Sequence, residues 1–161
     1  MIQLKPGSVS DIPNLWSLRT RAVRQLCAGH YSPEQIEAWS ESPPPQSYLR
    51  LLATHCALIA EEDGQRLGYG ILDRQTGEVI ALFVEPVQAG KGIGRRLMEG
   101  LEGIAAEEHF TRLHLYASLN AADFYRAMGF VAIRDEHYEH PSGIFLRSLY
   151  MERELSTTSL H

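Results

Sequence analysis

The chain has 161 residues, 44% of them hydrophobic and 22% charged, with a formal net charge of −5 at pH 7. That length suits one ordinary domain with its own core, and no apolar run approaches the roughly 20 residues of a membrane span. The acidic balance argues against a nucleic-acid footprint and suits a cationic substrate, although a charge of this size also serves solubility alone. The N-terminus lacks the basic-then-apolar order of a secretory signal, and Cys27 and Cys56 have no metal-site spacing, so a reduced, cytoplasmic setting is expected.

MIQLKP, residues 1–6, alternates briefly and reads as a first strand. Ser10 or Asp11 can then cap a helix with Pro13 in its first turn and Leu15, Trp16, Leu18, Ala22, Val23 and Leu26 on one face, fading near Gly29. A second helix opens at Ser32, where Pro33 takes the first helical position and Gln35 completes a capping box; SPPPQS then reads as loop. From His55 onward the pattern is of strands. CALIAEE and LGYGILD flank the hairpin signal DGQ, and EVIALFV follows Thr76-Gly77, so three successive antiparallel strands are expected. EVIALFV is apolar on both faces, as a central strand is.

Ile93, Leu97, Leu101, Ile104 and Ala105 recur at helical spacing, which predicts a long amphipathic helix. RLHLYAS returns to strand, NAADFYRAMG reads as a short helix, and FVAIRDEHY and IFLRSLYME close as strands. The long helix forms a crossover, so the strands on either side of it should lie parallel in a mixed sheet. One domain is expected over residues 1–154, with residues 155–161 as a tail.

The most informative stretch is VEPVQAGKGIGRRLM, residues 84–98, with glycines at positions 90, 92 and 94 just where the long helix begins. It fits neither G-x-x-x-x-G-K-[ST] nor G-x-G-x-x-G. What remains is a glycine turn that aims backbone N–H groups outward at the positive end of a helix, an anion site that a diphosphate can approach closely. Arg95 and Arg96 can add charge there. QAGKGIGRRLM resembles the R/Q-x-x-G-x-G/A motif of the GNAT superfamily of acyl-CoA-dependent N-acyltransferases. In that alignment Ala89 stands where the family usually has Gln or Arg, with Gln88 one residue early.

A second stretch, SLNAADFYRAMGF, residues 118–130, resembles the family's pattern of an Asn ahead of F-Y-x-x-x-G-F. Helix-making explains part of it: Asn120 as cap, Asp123 near the positive end, Gly129 in the left-handed position and Phe130 packing back on Phe124 or Tyr125. Taken alone, Tyr125 reads as a core aromatic with a bonded hydroxyl. The order of elements along the chain is also the family's, an analogy of folds to which the two motifs add specificity.

The resemblance implies an α/β fold, a mixed antiparallel and parallel sheet of six or seven strands flanked by about four helices. It further implies an acetyltransferase using acetyl-CoA as co-substrate and a small-molecule or peptide amine as acceptor. Cofactor contacts carried over are Leu82, Phe83, Val84, Ala89, Gly90, Lys91, Gly92, Ile93, Gly94, Arg95, Asn120 and Phe124. Tyr125 corresponds to the tyrosine that protonates the departing thiolate, and Glu78 to a glutamate that some members use as a base; Asp73 and Glu61 are weaker candidates. Glu78 also reads as an ordinary strand-end carboxylate. His30, Tyr31 and Trp39 fall in the helix-loop-helix region where the family builds its acceptor pocket.

HYEH, residues 137–140, puts its two histidines on opposite faces of a strand, so no metal is expected. FYRAMGF also resembles glyoxalase/bleomycin-resistance-type proteins, which are metal-dependent, and a module that binds acetyl-CoA without turnover is a further alternative. Neither nucleic acid nor membrane is expected as a partner. The acceptor's identity is open, as is the oligomeric state, for which a homodimer is one expectation.

Overall fold

The computed structural model describes residues 1–139 and 143–155. In chain order these form β1 (Gln3–Pro6), α1 (Ile12–Leu26), α2 (Pro33–Glu41), α3 (Ser47–Ala53), β2 (Ala57–Glu62), β3 (Gln65–Leu72), β4 (Val79–Val84), α4 (Ile93–Glu107), β5 (Arg112–Ser118), α5 (Ala122–Ala127), β6 (Val131–Glu139) and β7 (Phe145–Glu154). Local chemistry explains most boundaries. Ser32 Oγ accepts from the Gln35 N–H while Gln35 Oε1 accepts from the Ser32 N–H, closing the expected capping box on α2. Asp63 and Gly64 both have positive φ, 52° and 78°, as the tight turn between β2 and β3 requires. The start of α1 differs from expectation. Ser8 caps a short 3-10 turn over Val9–Asp11, and Asp11 reaches back to the Ser8 N–H instead of capping α1 with its side chain.

The strands form two sheets, ordered β1-β2-β3-β4 and β5-β7-β6, every neighbouring pair antiparallel. The parallel β4–β5 pairing expected of the crossover shrinks to one bridge, Glu78 with His114, where the His114 N–H donates to Gly77 O at 3.3 Å. Beyond this bridge the two strands part. The other difference is α3, which begins at the end of the SPPPQS loop and runs through residues to which the sequence pattern assigns no element: Tyr48, Leu51 and Leu52 are buried at i, i+3 and i+4, but no side chain caps its start. Leu155, expected in the tail, is tied to the body by its N–H bond to Thr111 O at 2.8 Å; residues 156–161 lie outside the described residues.

The larger sheet is covered on both faces. On one, Leu15 and Leu18 of α1 and Leu51 of α3 pack against Ile59, Tyr69 and Ile71. On the other, α4 seats Leu97 and Leu101 over β3. Gly68 and Gly70 make that approach possible: a Cβ on Gly70 would stand 3.1 Å from Leu101 Cδ1, and one on Gly68 would meet Leu97 Cδ1 at 3.2 Å and Phe83 O at 2.8 Å. Among the described residues no helix is long and apolar enough to cross a membrane.

The same geometry separates two glycine replacements. Gly68→Ala forces a backbone carbonyl aside and should destabilise the fold by about 1–3 kcal/mol. Gly103→Ala, exposed in α4 with nothing within 4 Å of the added methyl, should stabilise it by up to about 1 kcal/mol. Urea denaturation of the two variants beside the wild type measures both signs.

Candidate active site

The parting of β4 from β5 leaves β4 with an open edge. The Glu85 N–H bonds to Leu67 O at 2.8 Å, and the antiparallel register runs Gly68–Val84, Tyr69–Phe83, Gly70–Leu82, Ile71–Ala81. Hydrogen-bonded and non-hydrogen-bonded pairs alternate, so Phe83 and Ala81 turn their N–H groups to β3 while Leu82 and Val84 turn theirs to the gap. Of the three sequence-predicted residues here, Leu82 and Val84 thus have the free donors, and Phe83 contributes its side chain alone. The register shift on β4 falls between the Leu72–Val79 and Ile71–Ala81 pairs, leaving Ile80 as the extra residue. Arg21 fixes the strand's far end by donating to both carboxylate oxygens of Glu85, at 2.6 and 2.8 Å.

Beyond Val84 a 3-10 turn over Pro86–Gln88 leads into the glycines, and its bonds consume the Gln88 and Ala89 N–H groups on Glu85 O and Pro86 O. Ala89, a sequence-predicted contact, therefore has no amide to offer. The next N–H groups do: those of Gly90, Lys91, Gly92, Ile93, Gly94 and Arg95 have no hydrogen-bond partner among the described residues, and the first helical bond of this turn is Arg96 N–H to Gly92 O. Gly90 and Gly92 hold φ of 82° and 81°, a conformation that costs residues with a Cβ, and open space surrounds both. Lys91 reaches back to Gln88 Oε1 at 3.2 Å. Adjacent free donors at the start of a 15-residue helix form an anion cradle.

Gly94 brings in the second motif. A Cβ on it would lie 3.2 Å from the Phe124 ring, so α5 packs directly on the first turn of α4. Phe124 meets Tyr125 edge-on at 5.3 Å, and Tyr125 meets Phe130 at 5.7 Å. Tyr125 is buried, lines the cleft between the sheets, and has no hydrogen-bond partner for its hydroxyl among the described residues. Burial pushes its pKa upward, so the phenol stays protonated at neutral pH. Asn120 does not cap α5, whose N-cap is Ala121. Its Oδ1 instead accepts from Cys27 Sγ at 3.2 Å, and burial raises that thiol's pKa to about 11.

The cleft has a volume of about 1070 Å³ and runs from Tyr125 and β4 to α1, α2 and the proline loop. Tyr31 and Trp39 line it as the sequence suggests, their rings edge to face at 5.3 Å. Tyr31 is also a brace: its hydroxyl donates to Arg147 O and accepts from the Leu119 N–H. His30 is exposed and does not line the cleft. Lining residues that sequence reasoning missed include Trp16, Arg19, Tyr48 and Leu146. Only the helical periodicity of α1 marked Trp16, and it marked it as core.

Glu78, half-buried, is the β4-side member of the bridge to β5, next to Val79 in the cleft wall but not itself a lining residue. Burial raises its pKa, with His114 opposing the shift and Asp73 adding to it. For Asp73, burial acts upward but is outweighed by hydrogen bonds from Arg50 and the Gln75 N–H, which hold it low. Glu61 is paired with Lys5 at 2.7 Å. Of the HYEH histidines, His137 lines the cleft, while His140 lies outside the described residues. Among the described residues no three His, Cys, Asp or Glu side chains form a group that could hold a metal.

A family model described as "Acetyltransferase (GNAT) domain" matches residues 27–146. The chain belongs to the GNAT acetyltransferase family. It is 27% identical to YafP of Escherichia coli K12, named as an uncharacterized N-acetyltransferase, over 93% of this chain and 94% of that protein. The crystal structure of a GCN5-related N-acetyltransferase from Rhodopseudomonas palustris superposes with a TM-score of 0.86 at 27% identity, covering 95% of each chain. That of the PaiA N-acetyltransferase from Thermoplasma acidophilum, in complex with coenzyme A, has a TM-score of 0.75 at 22% identity, covering 96% of this chain and 99% of that one. The family assignment removes the glyoxalase-type reading of FYRAMGF; in this GNAT chain Ser118, Ala121 and Tyr125 of the second motif line the cleft, and the glycine turn meets that motif through Gly94 and Phe124.

A carboxylate whose pKa is raised by folding binds more protons in the native state than in the unfolded chain between the two values. Its contribution to stability therefore declines as pH climbs from the ordinary glutamate value of 4.5 through the native one. Glu78→Gln should accordingly be more stable than wild type at pH 7, with the difference vanishing below pH about 4, as thermal melts across pH would measure.

Proposed function

We propose that this GNAT protein transfers the acetyl group of acetyl-CoA to a primary amine by direct attack in a ternary complex, with residues 1–154 as one transferase domain. The observation that carries this reading is the run of unpartnered amides from Gly90 to Arg95 at the start of α4, beside the open edge of β4. A diphosphate accepts hydrogen bonds from these amides, and the left-handed glycines keep side chains out of its way. The relative from Thermoplasma acidophilum, which shares the fold, was solved with coenzyme A.

In this reading the thioester carbonyl lies in the gap beyond the β4–β5 bridge, where the Leu82 or Val84 N–H polarises it. The neutral amine enters through the cleft and attacks the carbonyl carbon. A C–N bond forms as the carbonyl electrons move to oxygen; collapse of the oxyanion then breaks the C–S bond. Tyr125 O–H protonates the departing thiolate; burial keeps the phenol protonated until then, and no other group competes for its hydroxyl among the described residues. The amine must lose a proton before attack and another after it. Glu78 is the proposed acceptor, through water, supported by its raised pKa and its place beside Val79.

A thiol-release assay with acetyl-CoA over a panel of amines tests the scheme. Tyr125→Phe should lower kcat by roughly 10²–10⁴-fold with cofactor affinity retained, and Gly92→Asp should abolish binding by adding both a strained conformation and a negative charge to the cradle. Unchanged acetyl-CoA affinity in Gly92→Asp refutes the cradle. Binding without turnover of any amine favours instead a module that senses acetyl-CoA.

A further inference from the structure

Arg19 is the one buried arginine among the described residues, 3% exposed, and it stands in the cleft wall on α1. Other arginines close to carboxylates form ion pairs: Arg21 with Glu85, Arg50 with Asp73, Arg66 with Asp11. Arg19 pairs with no carboxylate among the described residues. Its Nη1 donates to Ser40 O at 3.3 Å, and its Nη2 to Trp39 O at 2.7 Å and Ser42 Oγ at 3.2 Å. These bonds occupy three of the guanidinium's five N–H groups. The Trp16 ring lies 4.1 Å from its central carbon, a cation–π contact.

A guanidinium buried without a counter-charge is costly, and its neutral partners leave the charge itself unbalanced. Burial is the leading influence on its pKa, acting downward, and the groups that oppose it are Tyr69, Tyr48 and Cys27 rather than any acid. Purely as a pin for the Trp39–Ser42 segment, a neutral donor would serve; Trp16 Nε1 already holds Ser42 O at 2.8 Å. Arg19 shares the cleft with Val79 to Phe83 at β4, and aromatic rings stand between them. Tyr48 and Tyr69 share a hydroxyl hydrogen bond of 3.0 Å, and Tyr69 stacks at 5.8 Å on Phe83 of β4.

We infer that Arg19 is the anchor for a carboxylate on the acceptor, and hence that the acceptor is an amine that also carries a carboxylate, of the α-amino-acid class with an apolar side chain. This rests on the transferase reading above. The carboxylate supplies the missing counter-charge and takes up the remaining N–H groups, while Trp16, Trp39, Tyr48 and Leu146 offer the apolar surface. The amine end is thereby directed toward β4.

Matched acceptors test this: phenylalanine and leucine against phenylalaninamide and leucinamide, each KM expressed per unit of unprotonated amine. Wild type should favour the acids by about tenfold or more. Arg19→Gln should erase that preference, raising KM for the acids with little change for the amides, and Arg19→Lys should restore part of it. Titration calorimetry with N-acetylphenylalanine and its amide gives a readout independent of turnover: the acid should bind wild type more tightly, and Arg19→Gln should lose the difference. Equal use or binding of acid and amide by wild type overturns the inference, and does so even if the variants fail to fold. A uniform loss on acids and amides in Arg19→Gln also overturns it, because that marks a structural pin. Transfer to amides without preference for acids leaves the transferase reading intact; absence of transfer to any amine refutes that reading, while the calorimetry still decides the carboxylate anchor.

Discussion

The site depends on two neighbouring strands that stop pairing. Had β4 and β5 stayed bonded along their length, the Leu82 and Val84 amides would be consumed in the ladder. Pairing is confined instead to the Glu78–His114 bridge, so a strand from the middle of the fold presents an edge in its interior. Such an edge is a liability when exposed, since unpaired donors and acceptors recruit other strands. Here it faces a cleft whose walls also include Tyr31, Trp39 and the proline loop.

Two further devices make that edge useful. The glycine turn leaves a second set of amides free at the helix start, and Gly94 lets the Phe124 ring settle on the same turn, which sets Tyr125 against the cleft. Gly129, with φ of 96°, ends α5 so that Phe130 can return beneath Tyr125. Each glycine has a different reason to be glycine. At positions 90 and 92 it is conformation, with space to spare; at 68, 70 and 94 it is the closeness of a neighbour.

The sequence disclosed what is local. The capping box at Ser32, the turn at Asp63-Gly64, the face of α4 and the glycine junction are all set by residues within a few positions of one another, and each is found where its chemistry predicts. How far β4 and β5 pair is not legible locally: the parallel contact that the crossover implies is present, but as one bridge, because the extent of pairing is set by packing between elements distant in sequence. The short α3 was missed because it has no side-chain cap and follows prolines, so its helicity rests on burying Tyr48, Leu51 and Leu52. Asn120 was read as a cap because the residue type favours it, but the 3-10 turn over Leu119–Ala121 displaces the start of α5 and frees Asn120 for Cys27. The family resemblance groups His30 with Tyr31 and Trp39 by their place in the helix-loop-helix region, yet the exposed position of His30 keeps it out of the cleft.

The acceptor side is held by contacts of another kind, long in sequence and polar. Tyr31 bonds at once to Arg147 O on β7 and the Leu119 N–H ahead of α5, while Cys27 bonds to Asn120 in the same turn. The segment that closes the cleft is therefore fastened to the turn preceding the helix that carries Tyr125. Buried polar bonds of this sort fix geometry more than they add stability, since each mainly replaces a bond to water. Their consequence is positional: a shift of α1 and α2 would pull on the turn ahead of α5, the helix that carries Tyr125. The glycine turn, by contrast, exposes backbone amides and has no bond to α2 among the described residues. The two halves of the site are thus tied to different parts of the chain, and selectivity for the acceptor can change through α1, α2 and the proline loop only to the extent that the Tyr31 and Cys27 bonds are kept.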